Sequence, residues 1–258
     1  MTSDPDPPTA PTRGDPRLDV PWSGWRAVVE VLVIYVAALL LAGIPVTIVV
    51  AATGSVDDIP LTALLLASPV ALLLVTLIWL RVRYPARAGR VTGRNRWRWS
   101  DVGVGVGLGA ACFVGQQLLL AAVVAVLTQL GLEAPPVQQT FRVIADNPST
   151  APALAVTAVI LAPTAEELLF RGMLFQGVRA RAGFWIAALA SAAMFTLAHL
   201  GDASGLLADV IIVIGILPLG VVFAAIMERR GSLLAPVVTH GVFNAGGVAL
   251  LLLDVPGA

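Results

Sequence analysis

The sequence predicts an all-α fold, a polytopic transmembrane helical bundle of about seven spans, or eight if a short or re-entrant helix is added. Two observations lead to this fold class. Of the 258 residues, 58% are hydrophobic and only 12% are charged, and the mean hydropathy is +0.89, far from the values of soluble globular domains. Several uncharged runs also reach the roughly 20 apolar residues that are needed to cross a bilayer.

The N-terminal segment differs from the rest of the chain in composition. Six of its first 24 residues are proline, and Asp and Arg are scattered among them, so the segment cannot bury enough apolar surface to order itself. We therefore expect a disordered Pro-rich tail at residues 1–24 and a transmembrane domain at residues 25–258. The tail lacks the features of a removable signal peptide, so the first span is expected to act as the insertion signal.

Seven apolar segments are long enough to form helices that cross or enter the bilayer. Charged residues interrupt the fourth segment and Pro218 interrupts the sixth, which is why an eighth short element is considered. Boundaries are expected to hold within about 2 to 4 residues. In chain order the predicted spans are residues 27–52, 61–80, 102–130, 151–180, 184–200, 205–227 and 232–253.

The positive side chains predict the orientation in the membrane. All of them are Arg, and seven lie between Arg81 and Arg98, in a loop that the positive-inside rule places in the cytoplasm. The N-terminus is then cytoplasmic and the C-terminus outside, with Asp57, Asp58 and Asp202 in outer loops. The expected location is a cell membrane, and the Arg-only, Ala-rich and Val-rich composition points to a bacterial plasma membrane.

Glycines recur at every second position from Gly103 to Gly109, and Gly105, Gly107 and Ala110 match a G-x-G-x-x-A dinucleotide-binding string. That fingerprint requires a preceding strand and an exposed helix start, whereas these glycines open an apolar span. Small residues four apart let transmembrane helices approach closely. We therefore interpret the stretch as a helix-packing surface, and we expect no nucleotide and no nucleic acid as partner.

Ionisable side chains at bilayer depth cost about 2.5 to 3.5 kcal/mol each on insertion scales, and they persist mainly where they are paired or line a polar cavity. One buried His could simply hydrogen-bond a neighbouring helix, but six polar groups in three segments favour a functional site. The six residues are Glu166, Glu167 and Arg171, then His199, then His240 and Asn244.

Helical spacing separates the two glutamates. Glu167 and Arg171 are four residues apart and share one helix face, whereas Glu166 points about 100° away. Glu167 is therefore expected to neutralise Arg171. Glu166 remains as the unpaired carboxylate and is the expected general base for a water molecule.

The remaining polar residues complete a set that suits hydrolysis. His240 and Asn244 are four residues apart and together offer hydrogen-bond donors to a developing oxyanion. His199, opposite a carboxylate, can orient or activate water. The same buried carboxylates would also serve a proton-coupled or ion-coupled transporter, so hydrolysis and transport both stay open at this point.

Two prolines lie just before the polar groups. Pro163 precedes Glu166 by three residues and Pro236 precedes His240 by four, so each removes a helical hydrogen bond from the turn that carries the polar side chain. Loosened turns fit a wet cavity. Simple kinking of the helices explains the prolines equally well.

At these residues the chain resembles the CAAX protease and bacteriocin-processing family of intramembrane endopeptidases, which includes the CAAX prenyl endopeptidase. The resemblance covers about residues 150–250, the expected protease-like core. Three motifs in successive spans at compatible spacing are a strong signal. The family motifs E-E-x-x-x-R, F-x-x-x-H and H-x-x-x-N are matched in order by Glu166, Glu167 and Arg171, by Phe195 and His199, and by His240 and Asn244.

The resemblance implies an intramembrane endopeptidase that hydrolyses peptide bonds of membrane-associated or lipidated proteins or peptides by glutamate-activated water. In that picture Glu166 works on water with His199, while His240 and Asn244 stabilise the oxyanion. Glu167 belongs to the catalytic motif, and Arg171 and Phe195 are structural residues that hold the catalytic ones in place. Some family members act in bacteriocin immunity or as non-catalytic scaffolds, which is an alternative beside transport.

The resemblance leaves the need for a metal open. The chain lacks an H-E-x-x-H zinc motif, and Glu166, His199 and His240 would be the minimum three protein ligands of a catalytic divalent metal such as zinc. If all three bound a metal, Glu167 alone would remain as a base. Metal-free catalysis is therefore slightly favoured, although the family is often described as metalloproteases.

Overall fold

The computed structural model describes residues 20–55, 59–85, 89–92, 97–133, 135, 150–200 and 205–253. Within these ranges the secondary structure is helical throughout and contains no strand, so the predicted all-α class is confirmed. The helices are α1 (Trp25–Thr53), α2 (Leu61–Arg83), the short α3 (Gly89–Thr92), α4 (Trp99–Gln129), α5 (Ala151–Arg179), α6 (Phe184–Leu197), α7 (Leu206–Arg230) and α8 (Leu234–Leu252).

Six of the described helices are long and apolar enough to cross a membrane, and α6 is a shorter apolar helix of 14 residues. The prediction of about seven spans is thereby confirmed, and the observed ends differ from the predicted ones by at most three residues. At 1.5 Å per residue, α6 is only about 21 Å long. The helix by itself is therefore shorter than the hydrocarbon core, which is about 30 Å thick.

The predicted tail and outer loops fall largely outside the described residues. Residues 1–19 are not described, and neither are Asp57, Asp58 and Asp202, so the orientation in the membrane stays a prediction. The first described residue is Val20, and both Val20 and Trp22 are buried in the core. The contacts of the transmembrane domain therefore extend back to Val20.

Burial separates the central helices from the peripheral ones. Half of the apolar window of α5 and half of that of α7 are buried, against 11% for α1 and 6% for α4. The stretch from Leu168 to Phe175 in α5 is buried at every residue. Helices α5 and α7 therefore form the centre of the bundle, and α1 and α4 leave most of their apolar surface for lipid.

Helix α4 packs against α8 through two of its glycines. A Cβ atom at Gly105 would lie 2.7 Å from Cβ of Val238, and one at Gly109 would lie 2.7 Å from the backbone oxygen of Thr239. A Cβ atom at Gly103 or Gly107, the two other glycines of the stretch, would have nothing within 4 Å. The predicted helix-packing surface is thus confirmed for one face of α4, and it supports the helix that carries His240.

Candidate active site

Both glutamates lie where α5 departs from regular α-helical geometry. The α-helical turns from Ala162 to Glu167 are flanked by two π-helical stretches, Thr157–Leu161 and Leu168–Phe175. The N–H of Ala162 donates to Thr157 O, five residues back, so Ala158 O loses the donor that a regular α-helix would provide. Pro163 has no N–H to offer, so it also removes the normal donor of the carbonyl four residues before it.

Helix α8 covers the two carbonyl groups that α5 leaves in this way. Asn244 Nδ2 donates to Ala158 O at 2.8 Å. Gly241 lies directly against Val159 O, where a Cβ atom would be only 2.5 Å from that oxygen. The irregular turn of α5 therefore determines where α8 docks, one turn away from His240.

Glu167 and Arg171 form a fully buried ion pair, with Arg171 Nη1 donating to Glu167 Oε1 at 3.0 Å. Arg171 Nη2 also donates to Gly220 O at 3.1 Å. The guanidinium carbon lies 4.5 Å from the ring centre of Phe195 and 5.2 Å from that of Phe223. A buried cation is tolerated only when it is compensated, and here a carboxylate, a carbonyl and two ring faces compensate it.

His240 lies between the two glutamates. Its Nδ1 is 3.0 Å from Glu167 Oε1, and its Nε2 is 3.7 Å from Glu166 Oε2. The ring stacks on Phe223 at 4.9 Å between centroids and 27° between planes, and it meets Phe195 edge-on at 5.6 Å. Glu167 and the two phenylalanines therefore hold the imidazole in one orientation, with Nε2 directed at Glu166.

The two neighbouring carboxylates differ in their access to solvent. The side chain of Glu166 is 20% exposed, whereas that of Glu167 is 0% exposed. Glu167 is enclosed with Arg171 and His240 and cannot meet a substrate. Glu166 is the carboxylate of the pair that water can reach.

His199 lies in the turn that follows α6. Its backbone N–H donates to Thr196 O at 2.9 Å, and its Nδ1 is 2.7 Å from Phe195 O. A carbonyl oxygen only accepts, so Nδ1 carries the proton and Nε2 holds a lone pair when the ring is neutral. The centroid of the Phe195 ring lies 4.6 Å from that of His199 and 5.6 Å from that of His240, so one ring contacts both histidines.

Asn244 is the predicted site residue whose contacts differ most from expectation. Its predicted role is that of an oxyanion donor beside His240, but its Nδ2 donates to Ala158 O. One N–H of the amide is left for a second acceptor. The residue thus anchors α8 on α5 whatever else it binds.

Phe223 was not among the predicted site residues. It stacks on His240 and lies over Arg171, so it contacts two of the polar groups at once. In the sequence, Phe223 is one aromatic residue within an apolar span, which is more often a core residue than a site residue. Its position opposite His240 follows only from the packing of α7 on α8.

The predicted metal ligands do not form a metal centre as they are arranged. Among the residues that the structure describes, no three His, Cys, Asp or Glu side chains converge closely enough to hold an ion. Both ring nitrogens of His240 face carboxylate oxygens of Glu166 and Glu167, and Nδ1 of His199 faces a carbonyl. A catalytic zinc needs three protein ligands and an open position, and this geometry does not fit that requirement.

Residues 148–246 match the family model described as Rce1-like, type II CAAX prenyl endopeptidase Rce1-like. No curated protein and no solved structure matches the chain. The matched segment contains all of α5, α6 and α7 and the first part of α8, and it includes every residue that the sequence motifs predicted for the site. The resemblance drawn from those motifs is thereby confirmed. Over residues 148–246, the chain is therefore similar to the Rce1-like type II CAAX prenyl endopeptidases.

Proposed function

We propose that the protein is an intramembrane endopeptidase that hydrolyses peptide bonds of membrane-associated or lipidated proteins or peptides by glutamate-activated water. The observation that carries this proposal is the contrast between the two carboxylates. Glu166 is partly exposed and faces His240 Nε2 at 3.7 Å, whereas Glu167 is fully buried in its pair with Arg171. A general base must be reachable by water. It also benefits from a neighbouring group that can form a hydrogen bond with it, here the imidazole of His240.

In the proposed reaction, Glu166 takes a proton from a water molecule, and the resulting hydroxide attacks the carbonyl carbon of the scissile peptide. The tetrahedral intermediate then collapses, and the proton leaves with the amine product. The products are a carboxylate and an amine, and no covalent bond to the protein forms. This sequence of steps needs no metal ion.

His240 has two roles in this proposal because its two nitrogens have different partners. Glu167 accepts a hydrogen bond from Nδ1–H and orients the ring, as the buried aspartate does for the histidine of a serine protease. When Nε2 is protonated, it can donate to Glu166 or to the oxyanion of the intermediate. Arg171 donates to the same oxygen of Glu167 and so fixes the carboxylate that orients the ring.

His199 and Asn244 have supporting roles. The lone pair on Nε2 of neutral His199 can accept a hydrogen bond from the attacking water and so orient it. The remaining N–H of Asn244 can add a donor for the oxyanion beside His240. The substrate reaches the site from the membrane, since the site residues lie on apolar helices; the proposed location is a bacterial plasma membrane with the N-terminus cytoplasmic.

The proposal is tested by cleavage of a membrane-anchored peptide reporter by the purified protein in liposomes. We expect Glu166→Gln to abolish turnover, with a loss of at least about 100-fold, while the protein still folds and inserts. Glu133→Gln is the matched control, because Glu133 is exposed in the segment that follows α4. Comparing the membrane proteomes of wild-type and Glu166→Ala cells would then reveal uncleaved substrates.

Two results would count against a protease. One is a folded wild-type protein that cleaves no reporter and no membrane protein in the proteome comparison. The other is proton or ion flux through liposomes that is lost in Glu166→Gln while no peptide bond is cleaved, which would select a transporter.

A further inference from the structure

Tyr35 lies on α1, outside the segment that matches the family, and faces the candidate active site. It is half-buried, and its neighbours Ile34 and Ala38 are buried in the core. Its ring centroid is 6.5 Å from that of Phe170 on α5. Its hydroxyl donates to Ala198 O across a long 3.5 Å. The side chain therefore points from α1 towards α5 and the end of α6.

The partners of the hydroxyl belong to the site. Ala198 directly precedes His199 in the turn after α6, so Tyr35 contacts the backbone that carries this histidine. The hydroxyl is also close enough to the carboxylate of Glu166 for the two groups to interact electrostatically. One phenol thus contacts the turn that bears His199 and lies within electrostatic range of the proposed base.

The position of the Tyr35 hydroxyl inside the bundle costs free energy. Tyr35 is ten residues from Trp25, the first residue of α1, which corresponds to about 15 Å along the helix. At such depth a polar group without a good partner costs free energy, and a 3.5 Å hydrogen bond is a weak one. Phenylalanine would pack on Phe170 without that cost, so packing alone does not account for the hydroxyl.

We propose that Tyr35 is a positioning residue of the active site, whose hydroxyl holds the Ala198–His199 turn beside Glu166. The proposal rests on the proposed function, because it takes Glu166 and His199 as the groups that act on water. Loss of the hydroxyl would let the turn move away from the carboxylate. The reaction would then slow at the chemical step, while substrate binding would change little.

The second tyrosine of the chain provides a matched control, since the sequence contains only two. The hydroxyl of Tyr84 donates to Glu30 Oε1 at 2.5 Å, and Trp79 Nε1 donates to Glu30 Oε2 at 3.1 Å. These bonds join the end of α2 to α1 and involve none of the site residues. Tyr84→Phe therefore removes a tyrosine hydroxyl without touching the active site.

The first arm of the experiment does not depend on activity. The full chain is labelled with 3-fluorotyrosine, which gives two fluorine resonances, and Tyr84→Phe assigns them because it leaves Tyr35 alone. We expect Glu166→Gln to shift the Tyr35 resonance and to leave the Tyr84 resonance in place. A Tyr35 resonance that does not move would overturn the proposal.

The second arm measures cleavage of the reporter. We expect Tyr35→Phe to lower kcat about threefold, the effect of losing one weak hydrogen bond, with KM nearly unchanged. Tyr84→Phe should keep the wild-type kcat. Wild-type kcat in Tyr35→Phe would also overturn the proposal. If the wild-type protein cleaves nothing, the proposed function fails, and the fluorine arm still decides whether Tyr35 and Glu166 interact.

Discussion

His240 Nδ1 on α8 lies 3.0 Å from Glu167 Oε1 on α5, and the same carboxylate oxygen accepts from Arg171 at 3.0 Å. One buried oxygen therefore joins a structural cation to the ring that faces Glu166. The arrangement explains why the two adjacent glutamates are not equivalent. Glu167 holds the imidazole in place, and Glu166 is left to meet water.

The buried pair leads to a prediction about stability. Glu167→Gln leaves Arg171 without its counter-charge, and breaking a buried ion pair in this way costs about 3 to 5 kcal/mol. We therefore expect Glu167→Gln to unfold at a clearly lower temperature than the wild type in detergent, whereas Glu166→Gln should not. The double variant Glu167→Gln with Arg171→Gln should recover part of the loss, since it removes both charges. Equal stability of the two single variants would contradict this interpretation.

The stacking of Phe223 on His240 predicts an effect on catalysis. Phe223→Leu keeps an apolar side chain but removes the ring face that orients the imidazole, so kcat should fall about tenfold, the consequence of losing about 1.4 kcal/mol of orientation. Phe113→Leu is the control, because the Phe113 ring packs on Phe243 rather than on a histidine. That variant should lose stability and keep kcat. A similar loss of kcat in both variants would show that Phe223 acts through packing only.

The contact between α4 and α8 predicts opposite effects of the same substitution at two glycines. Gly109→Ala places a methyl group against the backbone oxygen of Thr239, so it should destabilise the protein by about 1 to 3 kcal/mol. Gly107→Ala has nothing within 4 Å and should stabilise the helix by up to about 1 kcal/mol. Thermal unfolding of the two variants in the same detergent checks the signs. If both variants move in the same direction, α4 does not pack on α8 through this face.

Metal removal tests the proposed metal-free reaction. We expect purified wild-type protein with no metal detectable by elemental analysis to cleave the reporter as fast as the same protein supplied with zinc. A chelator should leave kcat unchanged. The physical reason is that Glu166, His199 and His240 do not converge as a set of three ligands. Activity that disappears with a chelator and returns with zinc would require His240 to release its carboxylate partners.

Much of the fold could be predicted because it depends on local composition. A transmembrane helix is long, apolar and bounded by polar residues, so each span is visible in a short window of sequence. The predicted ends agree with the observed helices within three residues. A short-range pair was accessible in the same way: Glu167 and Arg171 are four residues apart and meet on one helix face.

Other features have no local signal. The contact of His240 with Glu167 joins residues 73 apart, that of Asn244 with Ala158 joins residues 86 apart, and that of Tyr35 with Ala198 joins residues 163 apart. Each depends on how two helices pack and rotate against each other. An Asn near a His in a span is as compatible with an oxyanion donor as with an anchor to a neighbouring carbonyl.

The sequence by itself determined that this is an all-helical membrane chain and which polar residues are the candidates for its chemistry. Both follow from local signals, because apolar runs and the high cost of ionisable groups in lipid can be recognised one residue at a time. Only the tertiary structure decided which glutamate is enclosed and which is reachable, and what His240 binds. The physical reason is that burial and orientation come from the packing of α5 against α7 and α8. That packing is set by an irregular turn before Pro163, by glycines that allow close approach and by rings on both sides of His240.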